Sequence, residues 1–156
     1  MISLNPIGKI VNERKIVEDD DWGEIISMIE LNDSFDESAL KGIDKFSHLE
    51  IIYYFNKVED SKIITGARHP RNLEHLPEVG VFAQRVKNRP NKLGLTTVKL
   101  LRVDNKTLHV KGLDAINGTP VLDIKPVFKQ FLPQVSYHDE IKQPDWVNEI
   151  MKNYWK

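Results

Sequence analysis

Short apolar segments separated by turn residues run along most of this chain, and this pattern limits the folds open to it. Residues 48–55 are the clearest case, because they are rich in β-branched and aromatic side chains and apolar on both faces. Such a segment is typical of a strand with neighbours on both sides. The other predicted strands are residues 7–11, 24–31, 79–83, 95–103, 107–113 and 121–124. Of these, residues 24–31 also fit a helix.

Helical signals are confined to two places. In residues 36–42, Asp36 is a suitable N-cap for a short helix and Gly42 a suitable stop. Pro144 suits the first turn of a longer helix over residues 144–154. One face of that helix is apolar and carries Trp146, Val147, Ile150, Met151 and Tyr154.

Turn signals complete the prediction of the fold. Residues 104–106 separate two strands as a tight hairpin does, and Asn117-Gly118 is a strong turn signal because both residues tolerate positive φ. Six or seven strands joined by short turns must hide their edges, and full closure of the sheet achieves this. We therefore predict a mainly all-β fold, a β-barrel with the C-terminal amphipathic helix packed outside. A two-sheet sandwich is the alternative.

The length and composition exclude several classes of protein. A chain of 156 residues fits one domain, so we expect a single domain over residues 1–156, with a core in 1–130 and the terminal helix in 144–155. The absence of cysteine excludes disulfides, thiolate nucleophiles and Cys-based zinc sites. No signal peptide is recognisable at the start, and the most apolar stretch, residues 51–55, is too short for a membrane span. We expect a cytoplasmic protein with no membrane partner.

Charge is distributed unevenly although the net charge is only −1. Residues 1–40 carry ten acidic and three basic side chains, whereas residues 81–112 carry eight basic side chains against the single acidic Asp104. A basic surplus of that size favours binding of a polyanion such as RNA. Solvated lysines on the outside of a barrel explain it equally well.

Several common kinds of catalytic site are missing from the sequence. The five histidines form no HExxH or other tight ligand pair, so we predict no metal site. The sequence contains no GxSxG motif, no P-loop and no GxGxxG motif. Serine hydrolase chemistry and nucleotide binding by a Rossmann fold therefore have no support.

Three segments, residues 46–49, 80–94 and 112–126, contain side chains that suit a binding site. Each also has a structural explanation. His48 is either a core histidine or a catalyst, and Arg85 is either a surface charge or a ligand for a carboxylate or phosphate, which a guanidinium binds through two parallel hydrogen bonds.

The same two explanations apply to the remaining polar residues of these segments. Arg89-Pro90-Asn91 holds a guanidinium and an amide on either side of a rigid φ, which suits a preformed polar pocket. Asp114 and Asp123 are suited either to bonding neighbouring backbone or to acid–base chemistry.

Together the three segments resemble the TrmO family, also described as the TsaA-like domain, from about residue 8 to residue 126. They read GIDKFSHLEIIYYFN, GVFAQRVKNRPNKLG and LDAINGTPVLDIKPV, in the order and spacing of the family's motifs. The chain departs from the family pattern at four places. Asn56-Lys57 replaces a typical His-Gln, Asn117 replaces an Asp, Lys92 replaces a Pro, and Glu50 replaces a Trp.

The resemblance implies a β-barrel that forms a homodimer and binds S-adenosylmethionine near the subunit interface. The activity that it implies is methylation of N6 of N6-threonylcarbamoyladenosine at position 37 of tRNA. By motif position, the expected cofactor contacts are Asn56, Lys57, Arg85, Leu95, Asn117, Gly118, Thr119 and Pro120.

Direct transfer of a methyl group from sulfonium to nitrogen requires the two reacting atoms about 3–3.5 Å apart and a base for the N6 proton. The candidate bases are Asp114, Asp123 and His48, and the sequence does not choose among them. The expected substrate contacts are Arg89, Asn91, Arg68 and Arg71. A methyltransferase of the same fold with another acceptor, a non-catalytic S-adenosylmethionine sensor and an RNA-binding barrel are the alternatives.

Overall fold

Six strands of the chain close into an antiparallel barrel. The computed structural model describes the backbone of residues 1–156 and every side chain except that of Ser136. The barrel order is β1-β2-β7-β6-β3-β8, and β4 and β5 form a separate two-stranded ribbon. The strands are β1 (Gly8–Val11), β2 (Ile26–Leu31), β3 (His48–Tyr54), β4 (Ala67–Arg68), β5 (Val79–Gly80), β6 (Leu93–Asp104), β7 (Thr107–Lys111) and β8 (Pro120–Pro126).

The predicted barrel is confirmed, and the sandwich alternative is wrong because β1 pairs with β8 and closes the sheet. Strand β3 is central, as predicted, since it pairs with β6 on one side and β8 on the other. Alternate side chains of each strand point inward, as the two-residue period of a strand requires. The core they form includes Ile10, Ile29, Leu49, Ile51, Tyr53, Val98, Leu108, Val110 and Val121, and Leu113 from the loop after β7 adds to it.

The strand predicted at 24–31 is confirmed as β2, which begins at Ile26, and the helix alternative is wrong. One predicted element needs correction. The strand predicted at 79–83 ends at Gly80, because its partner β4 is only two residues long and Val81–Ala83 turns into a 3-10 helix. The Gln84 side chain fixes this corner by donating to the backbone carbonyls of Arg68 and Val79, at 3.1 and 2.8 Å.

The turns follow the sequence signals with one difference. Residues 104–106 form the predicted hairpin between β6 and β7, with Asn105 at φ 51°. The turn at Asn117-Gly118 is present and Gly118 has φ 85°. It is not a hairpin, because the strands it joins, β7 and β8, are not neighbours in the barrel.

The terminal segment contains two short helices, α1 (Pro133–Ser136) and α2 (Asp145–Met151). Helix α2 is shorter than predicted, with Pro144 at its N-cap position and irregular turns after Met151. The five apolar residues predicted to share one face are all half-buried. Helix α2 lies outside the barrel, and its Glu149 pairs with His75 at 2.5 Å. Within the described chain, no helix combines the length and apolar character that crossing a bilayer requires.

Candidate functional site

Antiparallel pairing brings the last residues of the first motif, which runs on through β3, to the same end of the barrel as residues of the other two motifs. Its earlier residues, His48 and Leu49, lie at the other end of β3. Tyr54, at the end of β3, lies opposite Leu93 at the start of β6, and Tyr53 lies opposite Val121 near the start of β8. Strand β7 also ends here and leads into a loop that carries Asp114. We call this the Asp114 end.

The carboxylate of Asp114 accepts hydrogen bonds from three hydroxyl groups. Its Oδ1 accepts from Tyr53, at 3.0 Å, and from Thr96. Its Oδ2 accepts from Tyr154, which belongs to the C-terminal segment. Tyr53 and Thr96 are buried inside the barrel, whereas Asp114 is half-buried. The four side chains form a polar cluster at the mouth of an apolar barrel, which we call the Asp114 cluster.

Both tyrosines of the cluster stay protonated at physiological pH. Burial raises the pKa of the Tyr53 hydroxyl far above its ordinary value of 10.0, and the negative charge of Asp114 raises it further. The same two causes raise the pKa of Tyr154. The positive charge of Arg85 opposes both shifts, which places this guanidinium within electrostatic range of the cluster.

Arg85 and Leu95 meet directly beside the Asp114 cluster. The Arg85 side chain is exposed, and its Nη2 donates to the backbone carbonyl of Leu95. Leu95 and Phe82 expose 46% and 79% of their surface here. Gly94 is required next to them, because the ring of Tyr53 occupies the space that a β-carbon would take. Exposed apolar and cationic groups are therefore adjacent at this rim.

The turn before β8, which begins at Pro120, is fixed to the end of β1. The backbone N–H of Gly118 donates to the Ile10 carbonyl at 2.7 Å, and Ile10 N–H donates to the Thr119 carbonyl at 2.9 Å. The side chain of Asn117 accepts from a backbone N–H of the segment after β1, at 3.1 Å. Backbone of this turn is therefore held in one arrangement at the Asp114 end.

The loop after β3, which contains the exposed Asn56 and Lys57, is attached to the start of β6 by Lys92. The Nζ of Lys92 donates to the Val58 carbonyl at 2.8 Å and pairs with Asp60 at 2.5 Å. The hydrogen bond with Asp60 raises the pKa of Lys92 and lowers that of Asp60. The departure from the family's proline at this position therefore has a structural function here.

Two of the three candidate bases lie elsewhere. His48 begins β3, five residues from Tyr53, so about 17 Å separates them along the strand. Asp123 is half-exposed on β8, where it accepts from the Ile124 N–H at 2.9 Å and pairs with Lys125 at 3.3 Å. Asp114 is thus the one candidate base that the structure places with Arg85, and catalytic function stays a prediction for all three.

The four predicted substrate residues differ in their surroundings. Arg71 pairs with Asp20 through both guanidinium nitrogens, at 2.9 and 3.4 Å. Arg89 donates to backbone carbonyls of its own loop, the nearer at 2.9 Å. Arg68 is half-buried in β4, with an Nε that has no hydrogen-bond partner among the described groups. Asn91 is exposed in the turn before β6. Substrate contact by any of them stays a prediction.

Sequence reasoning missed Thr96 and the contact of Tyr154 with Asp114. The alternation of β6 contained the signal for Thr96, because it is the polar member of the inward row that also includes Gly94 and Val98. No local pattern indicates the position of Tyr154, which depends on how the C-terminal segment packs.

Two surface depressions lie away from this site. One depression of about 630 Å³ is lined by Gln134 and residues 138–141, and another of about 480 Å³ lies beside Leu40 and Arg102. Neither includes a member of the Asp114 cluster. Among the described side chains, no three His, Asp or Glu residues come together as a metal site requires.

Comparison with known proteins identifies relatives of this barrel. A probable S-adenosyl-L-methionine-binding protein of Pyrococcus abyssi (strain GE5 / Orsay) is 32% identical over 136 residues, which are 84% of this chain and 71% of that protein. The human tRNA (adenine(37)-N6)-methyltransferase is 38% identical over 95 residues. These are 61% of this chain but only 21% of the human protein, so the chain spans about a fifth of that relative's length.

Comparison with solved structures also identifies relatives of this barrel. A crystal structure of TrmO superimposes with a TM-score of 0.70 at 26% identity, covering 93% of this chain and 64% of that one. TrmO from Pseudomonas aeruginosa gives a TM-score of 0.69 at 26% identity, covering 91% and 61% of the two chains. The family model described as tRNA-methyltransferase O N-terminal domain matches residues 20–131. Since that match covers most of the chain, the predicted resemblance is confirmed and the protein belongs to the TrmO family.

Proposed function

We propose that this chain is an S-adenosylmethionine-dependent methyltransferase that acts on N6 of N6-threonylcarbamoyladenosine at position 37 of tRNA. The observation that carries this proposal is that one residue of each family motif, namely Tyr53, Arg85 and Asp114, lies at the same barrel end. Relatives named as S-adenosyl-L-methionine-binding and as tRNA (adenine(37)-N6)-methyltransferases support both the cofactor and the acceptor. Action on tRNA also fits a cytoplasmic location.

The groups at the Asp114 end fit S-adenosylmethionine, which supplies a methyl group on a sulfonium. Arg85 is suited to the carboxylate of the methionine part, because a guanidinium binds carboxylates through charge-assisted hydrogen bonds. The exposed Leu95 and Phe82 offer apolar surface for an adenine ring. Polar side chains and backbone groups surround them. These groups belong to Asn56, Lys57 and the turn formed by Asn117, Gly118, Thr119 and Pro120.

Asp114 is the base that this geometry supports best. S-adenosylmethionine would supply the methyl group for N6, and the Asp114 carboxylate would accept the proton that N6 must lose. The hydroxyl groups of Tyr53 and Thr96 hold this carboxylate in place. His48 and Asp123 lie too far along their strands or face away, so we give neither a part in this step.

For the tRNA, we propose contacts by Arg68, Arg71, Arg89 and Asn91. Position 37 lies in a single-stranded loop, and such bases are commonly read by stacking and by arginine. Arg71 reaches the RNA only if its ion pair with Asp20 opens. Because the pair is bidentate and only partly exposed, opening it offsets part of what an RNA contact would contribute.

We also propose that the chain functions as a homodimer. Phe82, Leu93 and Leu95 expose 79%, 39% and 46% of their surface on one side of the barrel beside Arg85. Apolar side chains grouped in this way mark interaction surfaces. Sedimentation equilibrium tests this proposal, and a strictly monomeric protein at micromolar concentration would refute it.

The first experiment is calorimetric titration of the full chain with S-adenosylmethionine and S-adenosylhomocysteine, with Arg85→Ala as the test variant. Loss of a charged hydrogen bond is worth about 1.5–3 kcal/mol, so we expect Arg85→Ala to bind about 10- to 100-fold more weakly. Lys87→Ala, which removes a nearby positive charge, is the matched control and should bind like the wild type. Unchanged affinity of Arg85→Ala would remove Arg85 from the cofactor site.

The second experiment is transfer of a labelled methyl group to tRNA with and without the threonylcarbamoyl modification. Label on the modified tRNA alone supports the proposed acceptor. Cofactor binding without transfer indicates a sensor, and salt-sensitive tRNA binding that ignores the cofactor indicates an RNA-binding barrel. Either result refutes the proposed activity, whereas transfer to another molecule refutes only the acceptor.

A further inference from the structure

The C-terminal residues Asn153–Trp155 return to the Asp114 end and bind there through their backbone. The N–H of Asp21 donates to the Asn153 carbonyl at 3.1 Å, and the N–H of Trp22 donates to the Tyr154 carbonyl at 2.8 Å. Gly23 follows directly. A β-carbon there would lie 2.8 Å from the carbonyl carbon of Trp155 and closer still to its oxygen. The segment is therefore packed against this loop without a gap.

This packing places the Tyr154 hydroxyl on the outer oxygen of Asp114. A carboxylate has about four acceptor positions, two on each oxygen. Tyr53 and Thr96 use both positions on Oδ1, and Tyr154 uses one on Oδ2. One acceptor position on Oδ2 remains open. Tyr154 determines which of the two it is, because its hydroxyl occupies the other.

We propose that Tyr154 is a positioning residue, which aims the remaining acceptor position of Asp114 at the proton of the methyl acceptor. This inference rests on the proposed methyltransferase function. Tyr154 lies outside residues 20–131, which match the family model, so the contact comes from the C-terminal segment of this chain. The residue acts through Asp114 and does not itself exchange a proton.

The chemistry of Tyr154 suits this function. Its pKa is raised by burial and by the charge of Asp114, so the hydroxyl remains a donor at any pH at which the enzyme is assayed. The ring also stacks edge-on against Trp155 at 4.9 Å between ring centroids. Removal of the hydroxyl alone therefore leaves the ring and its packing in place.

The test is Tyr154→Phe in the full-length chain, with Tyr137→Phe as the matched control. Tyr137 lies in the same C-terminal segment and exposes 74% of its surface. We expect Tyr154→Phe to lower the rate of methyl transfer about 10- to 100-fold, as loss of a hydrogen bond to a charged group does. The dissociation constant for S-adenosylmethionine should change little, and Tyr137→Phe should match the wild type. The thermal midpoint of Tyr154→Phe should fall by a few degrees, because the lost hydrogen bond also contributes to stability.

A double-mutant cycle with Asp114→Asn distinguishes positioning from a general structural effect. Single-turnover rates keep the slow variants measurable. If Tyr154 acts through Asp114, then Tyr154→Phe has little further effect in the Asp114→Asn background. Two results would overturn the positioning proposal while the methyltransferase function stands. One is a wild-type rate in Tyr154→Phe, and the other is a double variant whose rate falls by the product of the two single effects. Absence of cofactor binding and methyl transfer in the wild type would instead refute the function itself.

Discussion

Gly94 offers the sharpest test of how the barrel shapes the Asp114 cluster. It lies directly opposite Tyr53 in the pairing of β3 with β6. A β-carbon at this position would lie 2.8 Å from Cδ2 of the Tyr53 ring, and closer still to Cε2 and Cζ. Carbon atoms in ordinary contact are about 3.5–4.0 Å apart, so in Gly94→Ala the ring must move by roughly 1 Å.

The Tyr53 ring has little room for that movement. Its residue is only 2% exposed, and the ring packs edge-on against Phe55 at 5.3 Å between centroids. Overpacking of this kind costs about 1–3 kcal/mol. In a chain of 150–250 residues each 1 kcal/mol lowers the thermal midpoint by about 2–4 °C, so we expect a fall of about 2–12 °C.

Scanning calorimetry of Gly94→Ala checks this reasoning, with Gly80→Ala as the matched control. Gly80 is exposed and has φ −61°, and a β-carbon added to it would have no atom within 4 Å. Gly80→Ala should therefore leave the midpoint unchanged. Tyr53→Leu removes the clashing ring atoms, so the cost of Gly94→Ala should shrink in that background. Wild-type stability in Gly94→Ala would refute the claim that this glycine accommodates the ring.

Two further predictions follow from the ionisable groups. Because burial raises the pKa of Tyr53 and Tyr154 above the ordinary 10.0, their contribution to the free energy of unfolding is fully present below pH 10.0 and is lost as the pH rises further. Absorbance at 295 nm should therefore show these two tyrosines ionising only when the protein unfolds in alkali. For tRNA binding, the slope of log K against log salt should be about −2, because each of the three proposed arginine contacts, Arg68, Arg71 and Arg89, contributes about −0.7. A slope of about −6 would instead mean that all eight basic residues of 81–112 contact phosphates.

Most of the barrel could be predicted because its strands follow local rules. Strand β3 shows the pattern of a central strand in its own sequence, and the hairpin at 104–106 needs only neighbouring residues. The strand predicted at 79–83 was too long because its end depends on a partner, β4, that has only two residues. Closure of the barrel follows from the number of strands and from their unpaired edges, not from any one segment.

The site was less predictable because its geometry joins distant parts of the chain. Family motifs indicated Arg85, Leu95 and Asp114, and the barrel brings these together. The same motifs gave both Asp114 and His48 as candidate bases, because only the folded barrel shows which of the two lies near Arg85.

Parts of the chain outside the shared motifs gather at the same end of the barrel as the motif residues. The acidic loop around Asp20 holds Arg71, and the backbone of the adjoining Asp21 holds the C-terminal segment. That segment in turn carries Tyr154 onto Asp114. Three parts of the chain that are far apart in sequence therefore depend on one another here. The acidic loop holds the backbone of the segment that carries Tyr154. We therefore expect substitutions in this loop to affect the choice of methyl acceptor and the rate of transfer more than the affinity for the cofactor.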